Sequence, residues 1–339
     1  MILFSIIGTL IGAGFASGQE IYLFFYKYGL NGIIGLVLCS VLIGIITYKA
    51  FLIIYNNKTN TYEEFLGKIF KSKKIIKISN ITINAFLLIT FYIMLSGFGA
   101  YFEQRFQINS LIGTLILAII CFFVLLKDIE GVKKVNSVCV PILVILVLTI
   151  GFFSLKEYNP KNIERSYSFS WIIQAIIYSS YNMILVIPVL VSLGKYIKSK
   201  KQIRLISIGT ALIIFNLAIS IFFILASLNV DYSKIQMPVV YAIDNNFIKF
   251  SGIYGFVILL SIFSTEISIG ISFLKNVAKD KKSFPQIVAM MCISGVMISN
   301  FGFSNLVKIL FPLFGYIGIV EFVCLFKTKT SNKEVTKKT

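Results

Sequence analysis

The sequence predicts an all-α integral membrane protein, with ten transmembrane helices in a five-plus-five inverted repeat and breaks in helices one and six. Three observations carry this prediction. Hydrophobic residues make up 57% of the 339-residue chain and charged residues 14%. Mean hydropathy is +0.88, which fits a polytopic membrane protein rather than a large soluble core. Ten apolar runs can be placed, each near the ~20 residues a helix needs to cross the hydrocarbon, and two of them are interrupted by polar residues.

The spans run 2–27, 30–55, 77–104, 108–127, 136–156, 168–194, 203–229, 250–277, 285–301 and 304–327. The first reads Ile2 to Ile11, then Gly12-Ala13-Gly14-Phe15-Ala16-Ser17-Gly18-Gln19-Glu20, then Ile21 to Tyr26. Non-helical chain survives at membrane depth only where protein buries it or a cavity wets it. A break there marks a binding site. Between spans two and three, the amphipathic stretch from Thr61 to Phe70 is expected along the inner surface. The sixth span carries Tyr178-Ser179-Ser180-Tyr181-Asn182 between apolar flanks. It lacks glycines, so a continuous helix with a polar patch is the alternative, but its position favours a break. Five spans precede the sixth and four follow it, and a repeat of odd helix number has to invert in the membrane. A single domain, 1–327, thus divides into repeats of about 1–156 and 168–327, with a basic tail at 328–339. From Asp231 to Lys249 the chain is too polar to span, and long enough for an outer helix or lid punctuated by Pro238.

The net charge of +18 raises the question of nucleic acid, and its distribution answers it. With the N-terminus inside, 24 of the 32 Lys and Arg fall on the inner side and 8 on the outer. That is the positive-inside rule; it puts both termini inside and explains the basic balance without nucleic acid. All five cysteines lie in apolar runs, without metal-site spacing or an outer-loop position for a disulfide. Histidine is absent, which removes zinc-protease motifs, Ser-His-Asp triads and histidine proton relays. No enzyme is predicted, and no cofactor. The first run has no cleavage site, and it begins at Met1 without a basic flank, so the start is open to being late.

Within the first break, Ser17-Gly18-Gln19-Glu20 matches a capping box. A helix starting at Ser17 would leave the amides of Gly14 to Ser17 facing the gap, where they suit an anion such as a substrate carboxylate. Glu20 is then either the capping carboxylate or a protonatable coupling group. Substrate-binding candidates are Gly12, Ala13, Gly14, Phe15, Ala16 and Ser17 from the first break. From the second come Tyr178, Ser179, Ser180, Tyr181 and Asn182, with Tyr92 at mid-depth on span three. On span eight Ser261, Ser264, Thr265, Ser268 and Ser272 form one helical stripe, either a packing seam or a hard-cation site. Glu266 lies about 100° round that helix and faces another neighbour. Glu321 is expected near the inner interface.

The plan resembles the LeuT-type fold of the amino acid–polyamine–organocation superfamily. More narrowly, the Gly12–Glu20 segment and the Ser179–Asn182 stretch resemble the YkvI-like bacterial membrane proteins. The resemblance implies a Na⁺ site made by the carbonyls of Gly8, Ile11 and Ser261 with the hydroxyls of Ser264 and Thr265. The lysine that some sodium-independent relatives insert from span five is missing from Asn136 to Phe153. Phe15 stands where the fold's other sodium site uses asparagine. The expectation is a multi-pass bacterial cell-membrane symporter of a small organic solute, an amino acid or related carboxylate, driven by Na⁺. Proton coupling through Glu20 or Glu266, and a non-transporting nutrient sensor, are the alternatives. The expected partners are that small molecule and the lipid bilayer; oligomeric state is not legible.

Overall fold

A computed structural model describes residues 2–126, 130–157, 169–277 and 283–328; most of the predicted tail lies outside these residues. Among them the secondary structure is helical: α1 (Ile2–Leu10), α2 (Ala13–Ala16), α3 (Gln19–Phe24), α4 (Leu30–Asn57), α5 (Tyr62–Ile69), α6 (Lys73–Phe106) and α7 (Ser110–Leu126). There follow α8 (Glu130–Glu157), α9 (Ser170–Leu193), α10 (Lys200–Ala226), α11 (Pro238–Asn246), α12 (Ile248–Val277), α13 (Phe284–Ser299) and α14 (Phe303–Lys327). Among the described residues, seven helices are long and apolar enough to cross a membrane, and α7 and α13 are shorter apolar helices. With the interrupted α1–α3 segment they are compatible with ten crossings.

The helices present apolar stripes outward. Ile34, Val37, Val41 and Ile45 on α4, and Met290, Ile293 and Met297 on α13, are exposed at helical spacing, as lipid-facing surfaces require. Polar residues turn inward instead: Ser17, Gln19, Glu20, Asn182 and Glu266 are all buried. The α9 and α10 helices both pack on α4, α14 packs on α9, and α1 lies against α8, α9 and α10. A second group joins α12 to α6, α7 and α8. Glycines set the closest approaches, as is usual between membrane helices. A methyl group on Gly318 of α14 would lie 2.8 Å from the Ser180 carbonyl oxygen of α9.

The amphipathic α5 begins with a side-chain cap: Thr61 accepts from the Glu64 amide at 3.1 Å, and the Glu64 carboxylate accepts from the Asn60 amide at 2.8 Å. Burial of Phe65 and Leu66 seats it on the bundle. Tyr62 donates to Glu321 at 3.0 Å. Glu321 is therefore not the interfacial residue expected from sequence, but a buried acceptor beneath α5.

Candidate functional site

The first helix breaks as its glycines predict, with a different internal design. The α1 ladder ends where the Ile11 amide donates to Ile7, at 2.9 Å. No backbone amide among the described residues donates to the carbonyls of Gly8, Thr9, Leu10 and Ile11. Gly12 then N-caps the single turn α2, and Gly18 at φ +81° reverses the chain into α3. That left-handed conformation is one glycine adopts without steric cost. The capping box at Ser17 does not form, because Ser17 ends α2 instead of opening α3. Its hydroxyl donates to Gly14 at 3.2 Å and accepts from the Gln19 amide at 3.3 Å.

The Glu20 carboxylate folds back over the break. Its Oε2 accepts from the Tyr181 hydroxyl of α9. The Tyr178 hydroxyl and the Phe15 amide are directed at the same carboxylate with looser geometry. Gly14 makes room for it, since a methyl group there would overlap the Glu20 oxygen. The break amide expected to meet a substrate carboxylate thus faces an anion supplied by the chain.

The sixth span is not broken. Through Tyr178–Asn182, α9 runs as continuous helix, against expectation. The polar side chains bond within the helix: Ser179 to the Ala175 carbonyl at 2.7 Å, Ser180 to Ile176 at 2.7 Å, and Asn182 to Tyr178 at 2.9 Å. Serine and asparagine do this without opening the backbone ladder. No glycine is present to favour another path.

A cavity lies between these elements. Thr9, Leu10, Gly12 and Glu20 bound it from the first segment, and Tyr181, Asn182 and Leu185 from α9. Thr90 and Met94 of α6, Thr265 and Ile269 of α12, and Phe311 of α14 close it. Its volume is ≈ 10 Å³, about enough for one water. This conformation admits an ion or a small head group, not a whole amino acid.

Of the nominated substrate residues, Gly12, Tyr181 and Asn182 line the cavity. The others in the two segments are buried behind it. Tyr92 does not reach it; its hydroxyl pairs with Ser294 of α13 at 2.7 Å. Sequence reasoning missed Thr9, Leu10, Met94, Leu185, Ile269 and Phe311 as lining, because residues within an apolar run carry no local signal. Of the nominated Na⁺ ligands only Thr265 lines the cavity. Gly8 packs toward Val140 of α8, and the Ser264 hydroxyl donates to the Ser261 carbonyl at 3.3 Å. Ser268 and Ser272 bond back along α12 in the same way, at 2.8 Å each, so that part of the stripe is satisfied internally. The freed carbonyls of the first break and the Thr265 hydroxyl are hard oxygen donors of the kind a Na⁺ ion takes.

Glu266 points elsewhere. It is fully buried, and neither of its oxygens has a hydrogen-bond partner among the described residues. The thiol of Cys121 on α7 is directed toward it.

The short α11, which we refer to as the lid, packs on α12, α10 and α3. The α11 helix lies in the segment expected to hold an outer helix or lid and starts at Pro238, and the Val239 amide donates to the Ser17 carbonyl at 2.8 Å. Gln104 of α6 grips Met237 twice, accepting from its amide at 2.9 Å and donating to its carbonyl at 3.0 Å. Arg105 pairs with Asp244 of α11 at 2.5 Å.

The comparisons with known proteins agree with this architecture. No protein-family profile matches the chain. The membrane protein YkvI of Bacillus subtilis (strain 168) is 27% identical over 344 residues, covering 97% of this chain and 96% of YkvI. YyaD of the same organism is 25% identical over 323 residues, covering 94% of each. MhsT, solved in complex with L-phenylalanine, superposes with a TM-score of 0.70 at 16% identity, covering 96% of this chain and 87% of MhsT. The fold is LeuT-type. In LeuT-type terms, α1–α3 form the interrupted first helix and α9 is the sixth, here unbroken. The chain is a multi-pass membrane protein homologous to YkvI and YyaD.

Proposed function

We propose that the chain is a secondary transporter of a small organic solute of the amino-acid class, coupled to Na⁺. The observation that carries this is the broken first helix, where Thr9 and Leu10, whose carbonyls are freed, and Glu20 meet α9 and α12 around one cavity. Non-helical backbone is tolerated in a membrane where it lines such a cavity. Alternating access would rock α1–α4, α9 and α10 against α6, α7, α8 and α12, and α8 is where the two groups meet, packed against both α10 and α1. The cavity lies on the seam, with the docked lid above it. Na⁺ would take carbonyls between Gly8 and Ile11 together with Thr265. Proton coupling is the second reading, favoured by the burial of Glu20 at the cavity wall.

The test is counterflow in proteoliposomes holding the full chain, with an amino-acid panel, under a Na⁺ or a proton gradient. Specific accumulation driven by Na⁺ is expected. Accumulation driven only by protons would move the coupling to Glu20, and no specific flux under either gradient would end the transporter reading.

A further inference from the structure

Glu20 is one of the few charged groups within the membrane-spanning interior, and its setting is unusual. It is 3% exposed. Its donors are neutral: the Tyr181 hydroxyl, with the Tyr178 hydroxyl and Phe15 amide in looser approach. An ionised carboxylate offers about four lone-pair positions, so these donors leave at least one free. The one ion pair among the described residues, Arg105–Asp244, lies at the lid, so no Lys or Arg offsets the charge of Glu20. An uncompensated carboxylate in hydrocarbon is costly and marks function.

The end of α1 adds to the same polarity. The C-terminal end of α1, with its unpaired carbonyls, points at the cavity and adds negative potential. The unbroken α9 brings no helix end to it, and the one-turn α2, N-capped at Gly12, directs its Phe15 amide at Glu20. The wall beside Glu20 is aromatic, with Tyr181 stacked on Phe311 at 5.0 Å and edge-on to Phe86 at 6.3 Å. Aromatic faces next to a carboxylate attract organic ammonium groups.

We infer that the cavity recognises its ligand by a cationic amine, which Glu20 binds directly, and that a ligand carboxylate is dispensable. Glu20 takes the role the sequence assigned to the substrate: it is the anion at the break. This deepens the proposed transport function, because it names the group by which the same cavity selects a solute. Amines without a carboxylate therefore bind, and neutralising the nitrogen abolishes binding.

The test measures binding, not flux, on purified full-length protein in lipid nanodiscs. Thermal stabilisation is titrated with L-leucine, isoamylamine (leucine without its carboxylate), N-acetyl-L-leucine and isovalerate, together with methylamine and spermidine to vary size. At least one free amine is expected to bind, with the N-acetyl and carboxylate-only compounds at least tenfold weaker. E20Q is expected to weaken amine binding at least tenfold, and E20D, which keeps the charge on a shorter arm, to recover part of it. If E20Q fails to fold, the E20D titration and the acetylation comparison carry the test. Equal binding of isoamylamine and N-acetyl-leucine, unchanged amine affinity in E20Q, or no amine binding at all overturns the inference. If no amine binds but amino-acid counterflow is seen, this recognition mode fails and the transporter reading stands. If amines bind without flux, the reverse holds.

Discussion

Replacing Tyr181 by Phe tests the contact on which the central cavity is built. The ring is 1% exposed and stacks on Phe311 at 5.0 Å. Tyr178 and Phe24 lie against it at 5.1 and 5.8 Å. Phe keeps those contacts and opens no void, so the substitution removes one hydroxyl that donates to a carboxylate. A hydrogen bond to a charged group contributes about 1.5–3 kcal/mol, against about 0.5–1.5 between neutral groups. Tyr181→Phe is therefore expected to destabilise by about 1.5–3 kcal/mol. Glu20→Gln removes the charge from the same bond, so the two losses overlap. A double-mutant cycle should give a coupling energy of at least about 1 kcal/mol, whereas independent sites add to within about 0.3–0.5. The measurement is reversible unfolding in mixed micelles of a mild detergent and dodecyl sulfate. Coupling below about 0.5 kcal/mol would show that Glu20 is not held by α9, and the account of the break would have to be abandoned.

Three further outcomes follow from named contacts. Gly14→Ala places a methyl group on the Glu20 carboxylate and is expected to cost about 1–3 kcal/mol, in the range for overpacking. Gly67→Ala on α5, with nothing within 4 Å, should instead gain up to about 1 kcal/mol from helix propensity; similar melting shifts in the two variants would contradict the packing. Gln104→Ala strips both bonds from Met237, about 0.5–1.5 kcal/mol each. Amide hydrogen exchange from Met237 to Val240 should accelerate roughly 5- to 150-fold by the same figures, and unchanged exchange would mean that α6 does not hold the lid. Thr265→Ala should shift Na⁺ activation of transport to higher concentration while Ser264→Ala does little, since Thr265 faces the cavity and Ser264 is bonded within α12. Equal effects of the two would argue against a cation beside Thr265.

The fold was readable because its signals are local or periodic. Apolar runs of membrane length gave the helices, glycines at 12, 14 and 18 gave the first break, and the polar stretch from Asp231 to Lys249 gave room for a short outer helix, which is α11. The site was less readable because its contacts join distant residues. Glu20 and Tyr181 are 161 positions apart, and no spacing rule links them. Two local patterns also misled. Ser17-x-x-Glu20 and Thr61-x-x-Glu64 look alike as caps, yet only the second accepts from its N3 amide. A left-handed Gly18 intervenes in the first and releases Glu20 to turn toward Tyr181. The polar patch Tyr178–Asn182 suggested unwinding, but its side chains found acceptors one turn back along α9. A run of polar residues does not tell whether the backbone or the side chains will satisfy them; a run with glycines does.

The lid does not rest on a rim of its own. Its Val239 amide is bonded to the carbonyl of Ser17, the residue where the interrupted helix turns, and the same side chain presses on Gly18. Lifting the lid therefore removes a partner from the segment that shapes the binding cavity. In the proposed transport cycle, opening the mouth and loosening the pocket would be a single thermodynamic step, so an uncoupled leak, with the mouth open around an intact pocket, would be penalised by one buried main-chain bond.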